Sequence, residues 1–301
     1  MKVFVTGATG FVGSAVTHEL IAHGHDVLGL ARSERSADAL VRMGASALRG
    51  DLADPHILQQ GVAQCQAVIH AGFHHDFTRF PAACALDKAA IYAIGDAIGE
   101  SSKAFLVTAG LASINARERA ATEADPALEP SATYPRASEA VAAALTAQGT
   151  PTCVMRLPPS VHGAGDHGFV PMLIDFARQA GVSAYIGEGQ NMWPAVHVKD
   201  AARLYRLALE AGPQATTYHA VAEVGVPFRR IAEAISEGLG LALVGLSQEE
   251  AEQHFGHFLH FASIDQLASS AWTRERLRWS PQEPDLLTDI RTAGYFSEQM
   301  A

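Results

Sequence analysis

Cysteine is scarce: Cys65, Cys84 and Cys153 are the only three in 301 residues. Their number and irregular spacing exclude a disulfide framework or a cysteine zinc site and predict buried thiols in a reducing compartment, with the cytoplasm as the expected location. No apolar run reaches membrane-spanning length, and the opening MKVFVTGATG has only a three-residue apolar run before a glycine loop. A signal peptide and a membrane partner are therefore not expected. Basic residues are outnumbered, 22 Lys and Arg against 32 Asp and Glu, for a formal net charge of -10. That balance repels nucleic acid and anionic lipid, so an anionic ligand must be drawn in by individual arginines. Internal repeats and low-complexity segments are absent. What is present is apolar content, 48% of the chain, enough to bury the core of one large α/β unit or of a nucleotide domain with a smaller lobe.

The order of patterns supplies the fold class. Lys2 to Thr6 is a β-rich run ending in glycine, and Phe11, Val12, Ala15, Val16 and Ile21 follow at helical spacing. Strands are then predicted at Asp26–Leu30, Ala45–Leu48 and Ala67–Ala71, with a helix at Ala37–Met43. An Ala-rich helix over Phe80–Glu100 precedes a strand at Ala104–Thr108, and a second over Arg136–Gln148 precedes one at Thr152–Leu157. Alternation of this kind means parallel strands with helical crossovers, a doubly wound α/β sheet of the Rossmann type. The polar, proline-bearing stretch from Asn115 to Tyr134 reads as a surface loop. Past Pro158 glycines interrupt the alternation until a helix at Lys199–Glu210 and a strand at Thr216–Ala220. Residues 1–165 and 196–220 are read as the nucleotide-binding domain, and 166–195 with 221–301 as a smaller C-terminal substrate lobe. The small-residue faces of the two Ala-rich helices permit close packing, in the core or in a homodimer.

The loop Gly7-Ala8-Thr9-Gly10-Phe11-Val12-Gly13 stands between the first strand and the first helix. The first glycine lets the strand turn, the second admits a pyrophosphate to the backbone, and the third lets the helix pack on the strand. The helix N-terminus adds unpaired N–H groups and partial positive charge. A nicotinamide dinucleotide is the ligand this motif predicts. Sites selective for NAD place an acid at the end of the second strand, whereas here that strand ends Leu30-Ala31-Arg32-Ser33, and Asp26 comes too early. Arg32 can grip a 2′-phosphate through charge-assisted bonds of about 1.5–3 kcal/mol, roughly a ten- to hundred-fold preference. NADP(H) is therefore expected ahead of NAD(H).

Together with GATGFVG, the pair Asp51-Leu52 after Gly50, VIHAG closing the fourth strand, and VHG and VHVKDAA downstream, the sequence resembles the extended short-chain dehydrogenase/reductase superfamily, of the NAD-dependent epimerase/dehydratase type, over about residues 1–240. The resemblance implies that Asp51 and Leu52 flank the adenine, that Ala71 and Gly72 line the cofactor, and that Pro158 sits near the nicotinamide. It also implies a Ser or Thr after the fifth strand and a Tyr followed four residues later by Lys, the tyrosine exchanging a proton with the substrate oxygen and the lysine lowering its pKa. This chain departs from that pattern. Ala109 to Leu111 occupy the usual hydroxyl positions, leaving Thr108 and Ser113 as stand-ins, and Tyr134 is followed at the fourth place by Ser138 and then Glu139. A serine cannot supply the lysine's charge.

Other residues could take up the proton chemistry. His75, beside Asp76 in a loop after the fourth strand, is the second candidate after Tyr134. His162 and His167 are expected to make local turn hydrogen bonds, and His197 is read as structural. Asp87 falls where the family often has a structural asparagine and reads as a water-holding residue or an exposed helix acid. His254, His257 and His260, interleaved with Phe255, Phe258 and Phe261, fit a packed lobe wall facing an apolar substrate better than a metal site. The reading is an NADPH-dependent reductase of a small carbonyl-like substrate. Its rivals are a nucleotide-sugar epimerase or dehydratase, for which Arg229 and Arg230 are the one obvious basic pair, and a non-catalytic NADP(H) sensor.

Overall fold

A computed structural model describes residues 1–74, 79–111, 114, 119–132 and 134–297. Val3, Phe4 and Val5 are wholly buried, and their strand, β1 (Lys2–Thr6), is an interior strand of a parallel sheet. Around it the chain lays down α1 (Phe11–Ala22), β2 (Asp26–Ala31), α2 (Glu34–Arg42) and β3 (Ser46–Arg49), then α3 (Pro55–Ala63), β4 (Ala67–His70), α4 (Phe80–Ile98), β5 (Ala104–Gly110), α5 (Ser138–Ala147) and β6 (Thr152–Leu157). With β10 (Thr217–His219) these make seven strands among the described residues, in the order β10-β6-β5-β4-β1-β2-β3. The connections run outward from β1 through β2 to β3 and then cross to β4, so the order reverses between β1 and β4. In open parallel sheets a ligand crevice forms beyond the carboxyl ends of the strands at such a reversal. Helices cover both faces. α1 and α7 (Val198–Glu210) enclose Val16, Leu20, Leu204 and Tyr205 on one side, and α3, α4 and α5 enclose Leu58, Ile91, Ile94 and Leu145 on the other. The expected doubly wound α/β sheet is thus present.

Three elements differ from expectation for local reasons. α2 begins at Glu34 and not Ala37, because Ser33 and Ser36 form a reciprocal cap in which each side chain meets the other's backbone N–H. The helix α3 was not foreseen, although Asp54 accepts from the N–H groups of His56 and Ile57 and Pro55 occupies the first helical position. α5 begins at Ser138 and not Arg136, with Ala137 non-helical at φ -120 and ψ 9. Arg136 therefore belongs to the loop before the helix. The small-residue faces of α4 and α5 meet each other inside the chain: a side chain at Gly95 would collide with Leu145 at 2.4 Å.

Beyond β6 a second core gathers Val170, Ile174, Trp193, Phe228, Ile235, Phe255 and Phe258. It is framed by β7 (Ser160–His162), α6 (Phe169–Ala180), β8 (Val182–Ile186), β9 (Met192–His197), β11 (Glu223–Pro227), α8 (Phe228–Leu239), β12 (Ala242–Leu246), α9 (Gln248–Phe255), α10 (Leu259–Ala262) and α12 (Leu286–Thr292), whereas α11 (Ala271–Leu277) packs back on α7, with Leu277 and Trp279 against the core beneath α1 and α7. β11, β9 and β7 form one small sheet, and β12 pairs with β8 in another. Among the described residues no helix is long and apolar enough to cross a membrane.

Candidate functional site

The glycine loop is built as tightly as its composition predicts. Gly7 has φ +68, and a Cβ there would lie 2.6 Å from Gly72 Cα and 2.7 Å from the Ala71 oxygen. A Cβ on Gly13 would lie 2.0 Å from the Gly7 carbonyl oxygen. No side chain caps α1 at Gly10, and no acid stands in its first turn. Its leading N–H groups thus open onto a glycine-floored cradle, a fit for a pyrophosphate. A cavity of about 770 Å³ starts at this loop, where Thr9, Phe11 and Val12 line it, and continues past Arg32, Asp51 and Leu52 on one side. On the other it passes Ala71, Gly72, Thr108, Tyr134 and Pro158. One cavity thus holds the described residues predicted for cofactor and catalysis, while His75 and Ser113 lie outside the described residues.

Beneath the cavity a hydrogen-bonded chain runs from the floor of the glycine loop toward Arg136. The Gly72 N–H donates to Thr6 Oγ1 at 3.3 Å, and Thr6 Oγ1 lies 2.8 Å from His70 Nδ1. His70 Nε2 meets Asp87 Oδ1 at 3.1 Å, and Ser138 Oγ donates to Asp87 Oδ2 at 2.7 Å. Arg136 Nε donates to Ser138 Oγ at 3.2 Å. With the Thr6 hydroxyl donating to Nδ1 and Nε2–H donating to Asp87, every polar group in the chain has its partner. Asp87 is therefore not an exposed helix acid, because α4 points it inward, 2% exposed. Burial alone would raise its carboxyl, but the hydrogen bonds from His70 and Ser138 and the Arg136 charge hold it below its ordinary value. Ser138, where the family's lysine would stand, is buried in this chain. Arg136 enters the cavity instead: its guanidinium lies 4.2 Å from the Phe73 ring centroid, and Nη2 reaches the Thr108 carbonyl at 3.5 Å. Sequence reasoning missed Arg136 by placing it in the helix. Its available signal was its position two residues after Tyr134, directly behind Pro135.

Thr108 and the histidines resolve differently from one another. Thr108 Oγ1 lies 2.6 Å from the hydroxyl of Tyr205, a wholly buried residue of α7 whose phenol burial pushes up. His162 does not make the local turn contact expected of it. Its Nδ1 is 2.7 Å from Asp289 Oδ2, which fastens β7 to α12 across the second core. His167 stays local, Nδ1 facing the Gly165 carbonyl at 3.4 Å, and His197 Nδ1 accepts from the Lys199 N–H at the start of α7. From the second core Phe169, Met172, His257, His260 and Phe261 close the cavity, while Phe255 and Phe258 are buried behind them. Among the described residues no three His, Cys, Asp or Glu side chains are grouped to hold a metal ion. The three cysteines are free and buried, and burial pushes the Cys153 thiol up to about 12.

This geometry agrees with comparisons to known proteins. The NAD dependent epimerase/dehydratase family matches residues 3–221. The Schizosaccharomyces pombe protein C2A9.02 is 44% identical over 297 residues, covering 98% of this chain and all of its own. The 4-hydroxy-2-methyl-3-oxo-4-farnesyl-3,4-dihydroquinoline-1-oxide ketoreductase of Stigmatella aurantiaca is 29% identical over 294 residues, 90% of this chain and 84% of its own. Among solved structures, UDP-glucose 4-epimerase of Thermus thermophilus in complex with NAD superposes with a TM-score of 0.77 at 19% identity, over 99% of this chain and all of the other. That last likeness is one of fold. With a family match spanning most of the chain and a cradle shaped for a pyrophosphate, the protein belongs to the NAD dependent epimerase/dehydratase family of extended short-chain dehydrogenases/reductases, whose members work with a bound nicotinamide dinucleotide.

Proposed function

We propose that the chain is an NADPH-dependent reductase of a small, largely apolar carbonyl compound. The observation that carries this reading is the single cavity of about 770 Å³ joining the glycine loop and Arg32 at one end to Thr108, Tyr134 and the aromatic lobe wall at the other. Backbone groups of Gly7, Thr9, Gly10, Phe11, Val12 and Gly13 hold the pyrophosphate, Arg32 the 2′-phosphate, and Asp51 and Leu52 the adenine. Ala71, Gly72 and Pro158 line the nicotinamide side. The bound dihydronicotinamide supplies hydride. Tyr134 gives the proton to the carbonyl oxygen, with His75 as second candidate. Thr108 orients that oxygen. The Tyr205 hydroxyl has no partner but Thr108 among the described residues, and a buried donor left unmade costs about 1–3 kcal/mol. Tyr205 therefore donates to Thr108 Oγ1, which leaves the Thr108 proton for the cavity. The Stigmatella aurantiaca relative, a ketoreductase by name, supports the reductive direction.

The basic pair that the nucleotide-sugar reading calls on stands away from the cavity. Arg229 and Arg230 both pair with Glu233 at 3.1 Å, and neither lines the cavity. The same proposal sets the enzyme in the cytoplasm, in keeping with its free buried thiols, and assigns any homodimer contact to the outer face of α4, where Ala82, Ala85 and Ala89 stay exposed.

The test is NADPH oxidation, followed by loss of the dihydronicotinamide absorbance, across a panel of apolar aldehydes, ketones and quinones. Turnover of at least one is expected, with Tyr134→Phe lowering kcat by about 10²- to 10⁴-fold. Tight NADPH binding with silence across the panel would replace the enzyme reading with that of a sensor.

A further inference from the structure

Resting on the reductase reading above, we propose that Arg136 is the catalytic cation of this site, facing the substrate carbonyl oxygen and stabilising the negative charge that develops there. The charge a family lysine would carry four residues after the tyrosine has moved to a position two residues after it. Three observations lead to this assignment. First, α5 starts at Ser138, so Arg136 lies on a loop segment and turns into the cavity that Tyr134 and Thr108 also line. Second, the guanidinium is held from behind. Nε donates to Ser138 Oγ, which the buried Asp87 fixes in turn, and the guanidinium plane rests over Phe73. Third, only Nε and one Nη2 bond are committed among the described residues, and Nη2 reaches the Thr108 carbonyl at the edge of the site. The remaining N–H groups of this five-donor fork are available to an oxygen in the cavity.

The chemistry balances without further reactants. As the carbonyl carbon gains hydride, its π pair passes to oxygen. That oxygen is neutralised by the Tyr134 proton, and the tyrosine recovers a proton from water. Arg136 stays charged throughout and transfers nothing. Donors preorganised toward a developing oxyanion in an apolar site act more strongly on the transition state than on the neutral carbonyl. Asp87 and Ser138 are positioning residues, acting through Arg136.

The experiment compares wild type with Arg136→Gln, Arg136→Lys and Ser138→Ala in two readouts. In the first, calorimetry measures phenylacetate and phenylacetamide binding to the NADP+-saturated protein, which requires no turnover. Wild type is expected to bind the carboxylate about tenfold or more tightly than the amide, Arg136→Lys to keep part of that preference, and Arg136→Gln to lose it. In the second, on any carbonyl compound that turns over, Arg136→Gln is expected to lower kcat by roughly 10²- to 10³-fold with NADPH affinity kept. Arg136→Lys should recover part of that loss, and Ser138→Ala should lower kcat more than it raises KM. Equal affinity of wild type for the two probes, or a kcat of Arg136→Gln within threefold of wild type, overturns the assignment. A wild type without turnover whose carboxylate preference vanishes in Arg136→Gln retains the cation at that place and removes the reductase reading instead.

Discussion

Arg32 stands exposed at the carboxyl end of β2, and the acid nearest to it in sequence is already engaged: Glu34 pairs with Arg49 at 2.6 Å. Its guanidinium makes no ion pair among the described residues and lines the cavity. Arg32→Ala is therefore expected to weaken NADPH binding by about ten- to a hundred-fold and NADH binding little, as measured by fluorescence titration; equal losses for both coenzymes would remove the 2′-phosphate role. Arg32 was legible in the sequence because one strand end fixes its place. His70 and Asp87 were not, since they meet only after α4 has docked on β4, and no local pattern predicts that partnership. Thr108 was visible as a hydroxyl, but its partner Tyr205 is 97 residues away.

Among elements, the turn from β1 to α1 tolerates least. The atom that a Gly13 side chain would strike is the Gly7 carbonyl oxygen, part of the backbone, which cannot rotate aside. Gly13→Ala must move the helix off the strand, and overpacking of this kind costs about 1–3 kcal/mol. A lower melting temperature and a loss of NADPH affinity are expected together in thermal denaturation and titration. Gly10→Ala, whose nearest contact within the protein would be 3.3 Å, should be milder in melting temperature; equal destabilisation by the two variants would contradict the packing role. The βαβ alternation was readable because hydrophobic period and glycine position are local properties. Boundaries were less so. The cap that starts α2 early and the Asp54-Pro55 start of α3 were written in the sequence, whereas the late start of α5 depends on how the loop before it crosses the cavity. The second core was the least legible, because its short strands are paired by residues far apart in the chain.

Over the whole molecule, one polar junction joins α5, β6, β10 and the loop before α5. Arg156 pairs with Glu139 at 2.7 Å, donates to the Asp125 carbonyl at 2.9 Å, and donates through Nη1 to His219 Nε2 at 3.1 Å. His219 must then carry its proton on Nδ1, which faces the Ser269 carbonyl at 2.8 Å. Burial lowers the imidazole to about 4, with Arg156 pushing the same way and Glu123, the Ser269 carbonyl and Asp125 opposing. Between about 6.5, the ordinary value, and about 4, the unfolded chain takes up a proton at this residue that the folded chain refuses. The stability His219 provides is therefore complete above that window and lost as pH falls through it. His219→Gln keeps an acceptor for Arg156 and a donor for Ser269 without a titrating group. Its melting temperature should fall less than that of wild type between the two ends of the window, by about 2 °C or more; parallel curves would exclude His219 as the source.

The path from Gly72 through Thr6, His70, Asp87 and Ser138 to Arg136 begins under the glycine loop and ends at the guanidinium. The floor of the glycine loop and the Arg136 end of the cavity thus share a single foundation. A lysine installed at position 138 would take the place of the hydroxyl that serves both the carboxylate behind it and the arginine in front. Each member of the path is the anchor of the next, so the exchange would unseat its neighbours on both sides.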